Sequence, residues 1–137
     1  STLKLMATRV MFSTLDIDPD TIFVPMIDAR RMEVYTAAYD FALEELMSPQ
    51  PLILDGTSYA DLIDTGRPIL LFGNGSAKAS GTVCAPNVSI VEGVDPLAVD
   101  MIALAERAYT MRDFVDLAYS VPVYLKDFVA TKPKKLF

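Results

Sequence analysis

Side chains able to do chemistry are scarce in this chain. It contains no histidine, which removes the commonest general base, the commonest metal ligand and every Ser–His or Cys–His nucleophile pair. Its one cysteine, Cys84, cannot close an internal disulfide and offers no CxxC pair for zinc or redox work. The neighbours Gly81, Thr82, Val83 and Ala85 include no cation that would activate the thiol, so an inert, buried or half-buried cysteine is expected. Carboxylates occur in pairs, Asp61/Asp64 and Asp113/Asp116, spaced to share one helix face. Acid–base work would need an apolar pocket around one member. None is evident, and a solvated face is the reading. The aspartates of Asp16-Ile17-Asp18-Pro19-Asp20 alternate like a calcium loop, but Thr21 stands where the glycine belongs and Ile27 where the bidentate glutamate belongs. We read a polar turn.

Three features could recognise rather than react. Arg30 and Arg31, flanked by Asp28 and Glu33, could bind an anionic group or a partner carboxylate, or could pair locally on the surface. Gly73-Asn74-Gly75 after an apolar run could be a remnant phosphate-contacting turn. A lone G-x-G is weak without a P-loop lysine, and a tight turn is favoured. Tyr35, Tyr39 and Tyr124 could form an aromatic contact surface, with core packing as the commoner alternative.

The elements that must position these residues follow from spacing. Ser1 reads as the N-cap of a helix from Thr2 to about Thr14, with Leu3, Leu5, Met6 and Val10 apolar. Ile22–Asp28 is apolar on both faces and reads as a strand, and Pro25 in it predicts a bulge or an edge position. Glu33–Asp40 is rich in β-branched and aromatic residues, so the two runs form an antiparallel hairpin. Residues 41–48 read as an irregular loop before a short strand, Pro51–Leu54. Thr57 or Ser58 caps a helix through Tyr59, Leu62 and Ile63, closed by Gly66 and Pro68. Ile69–Phe72 reads as a strand covered on both faces. Residues 73–87 suffice for a parallel crossover, with a helical turn in 76–81, leading to a strand at Asn87–Val91. Asp95 as N-cap and Pro96 at the first helical position predict a helix to about Arg112, with Leu97, Met101, Leu104, Ala105 and Ala108 as its apolar stripe. Ser120–Lys126 is extended.

Three antiparallel strands followed by alternating helices and strands predict an α/β domain: a mixed sheet of about five strands with flanking helices, in the ribonuclease-H-like arrangement of an actin-like ATPase half. Length and composition agree with one domain at residues 1–137, since 137 residues with 52% apolar content can bury a core. The net charge of −6 argues against strong nucleic-acid binding, which wants a basic face. Lys132, Lys134 and Lys135 read as a solvated tail. No run approaches the about 18 apolar residues of a membrane span, and no secretory signal opens the chain. A cytoplasmic location is expected. The apolar excess leaves a homodimer open.

Three segments carry a family resemblance. Ser1-Thr2-Leu3 with Met6-Ala7 is similar to an "STL…MA" helix entry. Asp28-Ala29-Arg30-Arg31-Met32-Glu33-Val34-Tyr35 is similar to a "DAR…EVY" hairpin. Pro122-Val123-Tyr124-Leu125-Lys126, followed by Val129-Ala130, is similar to a terminal "P-x-Y-L-R…VA", with Lys126 in place of the arginine. Together they resemble the C-terminal half of the TsaB family of tRNA threonylcarbamoyladenosine biosynthesis.

The resemblance implies the C-terminal lobe of a two-lobe protein, an expectation that also fits a chain opening directly on a helix without methionine. It implies a non-catalytic accessory subunit that supports the catalytic TsaD together with the ATPase TsaE, without a cofactor of its own. Asp28, Arg30, Arg31, Glu33, Tyr35, Pro122, Tyr124, Leu125 and Lys126 are then the family-motif residues and possible partner contacts. The lobe by itself is expected to bind TsaD poorly. The alternative is an enzyme fragment, either glycoprotease-like (M22) or a nucleotide-binding actin-fold piece.

Overall fold

The computed structural model describes residues 1–126. Its elements run α1 (Thr2–Ser13), β1 (Ile22–Asp28), β2 (Glu33–Tyr39), β3 (Glu45–Ile53), α2 (Ala60–Ile63), β4 (Ile69–Phe72), α3 (Ser76–Ala79), β5 (Val88–Val91) and α4 (Met101–Thr110). The strands form one sheet in the order β3-β2-β1-β4-β5. The β3–β2 and β2–β1 pairs are antiparallel, and β1–β4 and β4–β5 are parallel. This is the expected ribonuclease-H-like arrangement, a mixed five-stranded sheet with flanking helices.

Both faces of the sheet are covered, which is why β1 and β4 lack polar alternation. On one face Ile22, Val24, Met26, Val34, Ile69 and Leu71 pack with Leu54, Tyr59, Ala79 and Val83. On the other, Phe23, Ala37, Tyr39 and Phe72 pack against Leu3, Met6, Ala7 and Val10 of α1, and Leu104 of α4 lies at the margin. Ser1 occupies the N-cap position of α1, but its hydroxyl makes no capping bond. The aspartate-rich segment is a turn, in which the Asp18 carboxylate accepts from the Asp20 amide at 2.9 Å.

Four local expectations fail, for α2 because of its immediate neighbours and elsewhere because of the tertiary setting. Pro25 is neither on an edge nor at a bulge: it sits in the central strand, and the β1–β2 register passes it without a shift. The Thr36 hydroxyl donates to the Pro25 carbonyl at 2.9 Å and the Tyr59 hydroxyl lies 3.0 Å from Thr36 Oγ1, so the polar groups around the proline are satisfied under the sheet. Strand β3 begins at Glu45, not at Pro51. It is an edge strand with two register shifts against β2 and with Pro49 and Pro51 within it, so its alternation is broken. Helix α2 is one turn, capped by Tyr59 in the left-handed region (φ +63°). Its approach is organised by Asp55, whose carboxylate accepts from the Thr57 amide at 2.8 Å and the Thr57 hydroxyl at 2.7 Å. The Thr57 hydroxyl, then its amide, hold the exposed Asp55 carboxyl below its ordinary pKa, with Ser58 adding to the effect.

The fourth failure is the start of α4. Asp95-Pro96 does not open it. Arg9 of α1 takes the Asp95 carbonyl at 2.9 Å and faces the Asp100 carboxylate at 3.6 Å. Residues 98–100 form a 3-10 turn, and α4 starts at Met101. Of its predicted stripe, Leu104 and Ala108 are half-buried, while Leu97, Met101 and Ala105 are exposed.

Candidate functional site

The β1–β2 hairpin turns through residues 29–32, with the Ala29 amide bonded to the Glu33 carbonyl at 3.1 Å and the Glu33 amide to the Arg30 carbonyl at 3.2 Å. Its tip is clamped from α3. Lys78 Nζ pairs with Asp28 and donates to the carbonyls of Ala29 at 2.7 Å and Glu33 at 3.2 Å. The turn Gly73-Asn74-Gly75 holds the same strand end. Asn74 Oδ1 accepts from the Asp28 amide at 2.7 Å, and the Gly75 amide donates to Met26 O at 3.1 Å. Gly73 has φ +100°, and a Cβ there would stand 2.3 Å from Met26 O. These glycines are needed for close approach of two backbones. The tight-turn reading holds.

The C-terminal segment reaches the hairpin from the opposite side. Lys126 Nζ donates to Glu33 Oε2 at 2.6 Å. Between that contact and the start of α1 lies an open groove of about 680 Å³. Ser1, Thr2 and Leu3 form one wall, Ile27, Tyr35 and Pro49 the sheet side, and residues 122–126 the other wall. Each of the three segments that resemble the TsaB family contributes to one groove, the first through Ser1–Leu3, the hairpin through Tyr35 alone and the last through residues 122–126.

Among the predicted site residues, Tyr35, Pro122, Tyr124, Leu125 and Lys126 line the groove. Glu33 stands beside it, paired with Lys126, whereas Asp28 pairs with Lys78 on the α3 side. Arg30 and Arg31 are exposed at the tip, outside the lining. Val129 and Ala130, and the lysines of the tail, lie outside the described residues. The three tyrosines separate: Tyr35 and Tyr124 face the groove, whereas Tyr39 is fully buried in the core. Burial pushes the Tyr39 hydroxyl pKa up, Ser1 beside it offsets part of that, and the charge of Glu45 adds to it. The Tyr39 hydroxyl has no hydrogen bond of good geometry among the described residues.

Cys84 is exposed, contrary to expectation. It lies on the crossover between α3 and β5, where Val83 takes the inward position. The pairs Asp61/Asp64 and Asp113/Asp116 are exposed, but Asp113 and Asp116 lie beyond the end of α4 and share no helix face. No group of metal-ligating side chains occurs among the described residues, and no helix there is long and apolar enough to cross a membrane. Sequence reasoning missed Lys78 and Pro49. Lys78 carried no local signal, since its partners lie 45 and more residues away.

Two solved structures from Pseudomonas aeruginosa superimpose on this arrangement. One is YeaZ, at 23% identity and a TM-score of 0.70. The fold is the YeaZ fold. The other is a protein described as having similarity to the peptidase YeaZ, at 21% identity and a TM-score of 0.67. Each match covers 90% of this chain, which spans only 56% of the YeaZ chain and 56% of the other. Identity this low speaks to fold alone. No family model and no curated protein matches the chain.

Proposed function

We propose that the chain is the C-terminal lobe of a TsaB-type accessory subunit, which supports a TsaD-like catalytic subunit in threonylcarbamoyladenosine modification of tRNA and catalyses nothing itself. The observation that carries this reading is the meeting of the three TsaB-like segments on one groove, on a scaffold shared with YeaZ (TsaB). Core packing accounts for the buried motif residues Leu3, Met6, Ala7 and Val34, whereas the exposed Tyr124 and Lys126 have no such role, and their place on the groove favours recognition. The absence of histidine from the sequence also favours a docking role over proton transfer. A TsaE-like ATPase, a cytoplasmic setting and the lack of strong direct tRNA binding belong to the same proposal.

Co-purification of the full-length protein with a TsaD-like subunit tests it. A stable complex is expected, and two independently migrating proteins would contradict the reading. The enzyme alternative predicts heat on titration of ATP and magnesium into the full-length protein, or cleavage of a glycoprotein substrate. Neither is expected.

A further inference from the structure

We propose that the β1–β2 hairpin tip is a docking point for an acidic segment of a protein partner, with Arg30 and Arg31 receiving its carboxylates. The two acids of the tip are already committed, Asp28 to Lys78 and Glu33 to Lys126. Among the described residues four cations thus stand against two anions, on a chain whose net charge is −6. Three of the four arginines elsewhere are used internally, and the fourth, Arg112, stands exposed and alone among the described residues. Arg9 and Arg107 each meet a carboxylate and a carbonyl, and Arg67 donates to Asp20 O. Arg30 and Arg31 are exposed and make no ion pair or side-chain hydrogen bond among the described residues.

Arg31 sits at φ +60°, a conformation that glycine or asparagine adopts with less strain. Among the described residues no hydrogen bond or ion pair of its own side chain offsets that strain, and exposed Arg112 at φ +55° shares the conformation. The platform beneath it is fixed by Lys78, by the Ala29–Glu33 bond and by the Leu54 amide, which donates to Met32 O at 2.8 Å. A guanidinium pair on a fixed turn loses little freedom on binding, and planar guanidinium matches carboxylate in a bidentate way. A long phosphate chain would run on over the acidic remainder of the surface, whereas a short acidic segment meets only the tip. The inference names the chemistry of one contact within the accessory-subunit reading, but it stands on the tip's own charges.

The test is titration of the ¹⁵N-labelled chain with an oligoglutamate peptide, followed by amide shifts and fluorescence anisotropy. Shifts are expected at Ala29–Met32, with affinity falling about tenfold or more in Arg30→Gln/Arg31→Gln and falling with added salt. Arg31→Gly removes the side chain while relieving the backbone, so its loss of affinity would not reflect misfolding. Arg112→Gln, at an exposed arginine away from the tip, should bind as the parent does. Unchanged binding in the double variant, shifts elsewhere, or no binding at millimolar peptide would overturn the proposal. Tighter binding of a single-stranded RNA oligonucleotide at the same amides would overturn the assignment to a protein partner. Loss of TsaD association with peptide binding intact would count against the accessory-subunit reading alone.

Discussion

In the β1–β2 hairpin, Phe23, Val24, Met26, Ala37 and Tyr39 are fully buried, whereas between Met111 and Tyr124 the side chains of Phe114, Leu117, Tyr119, Val121 and Val123 are all at least 65% exposed. The two regions have comparable apolar content. They differ in neighbours. The hairpin has strands on both sides and a helix layer on each face, so every apolar residue finds a surface. The C-terminal segment touches the body through half-buried Leu125 and the Lys126–Glu33 pair. Apolar content in a sequence therefore marks material for burial, and topology decides which of it is buried.

The largest effect should come from removing one aromatic ring from each region. Phe72→Ala, in the fully buried core, should cost about 3–5 kcal/mol of unfolding free energy. Phe114→Ala should change stability by about 0.5 kcal/mol or less. Paired urea melts give both values. Similar losses would mean the two regions are equally packed.

Gly73→Ala comes next, because a Cβ would stand 2.3 Å from Met26 O at a backbone φ of +100°. A loss of about 2–4 kcal/mol is expected in the same melts. A neutral result would show that the turn can move off β1 and that the hairpin clamp is loose.

The third effect concerns the buried polar relay. Thr36→Val leaves the Tyr59 hydroxyl and the Pro25 carbonyl without their partner, for a loss of about 1–3 kcal/mol. Burial raises the Tyr59 pKa from 10.0 to about 12, against a smaller lowering by its bond to Thr36. The folded state thus holds the phenol proton more tightly than the unfolded chain does. That stabilisation is complete below pH 10 and is lost as pH rises through about 12. Tyr39, raised in the same direction, adds to the slope. Stability measured against pH should fall across this window, and Tyr59→Phe should flatten it.

Most of the sheet was legible in the sequence. The limits of β1 matched, and β2, β4 and β5 were each placed to within a residue, because runs covered on both faces or rich in β-branched residues announce themselves. The misplacements have separate causes. The Asp95-Pro96 cap signal was overruled by Arg9, and the start of β3 was hidden by its prolines and register shifts, which break the alternation. The candidate site was legible as three separate motifs, but their convergence on one groove was not. Neither Lys78 nor Pro49 could be assigned before the chain was folded in three dimensions.

The smallest effect should come from the tether itself. Lys126→Ala removes a surface ion pair of about 0–1 kcal/mol. Global stability should barely change, while hydrogen exchange in residues 120–126 accelerates. Unchanged exchange would mean that Leu125 alone anchors the segment.

The central claim, an accessory subunit without chemistry of its own, meets its most direct test in a reconstituted tRNA threonylcarbamoylation assay. The full-length protein is added to, or withheld from, the TsaD-like, TsaE-like and carbamoyl-adenylate-forming components. The account predicts modification that depends on the protein, with no modification, ATP turnover or proteolysis by the protein alone. Full modification in its absence, or turnover by the isolated protein, would contradict it.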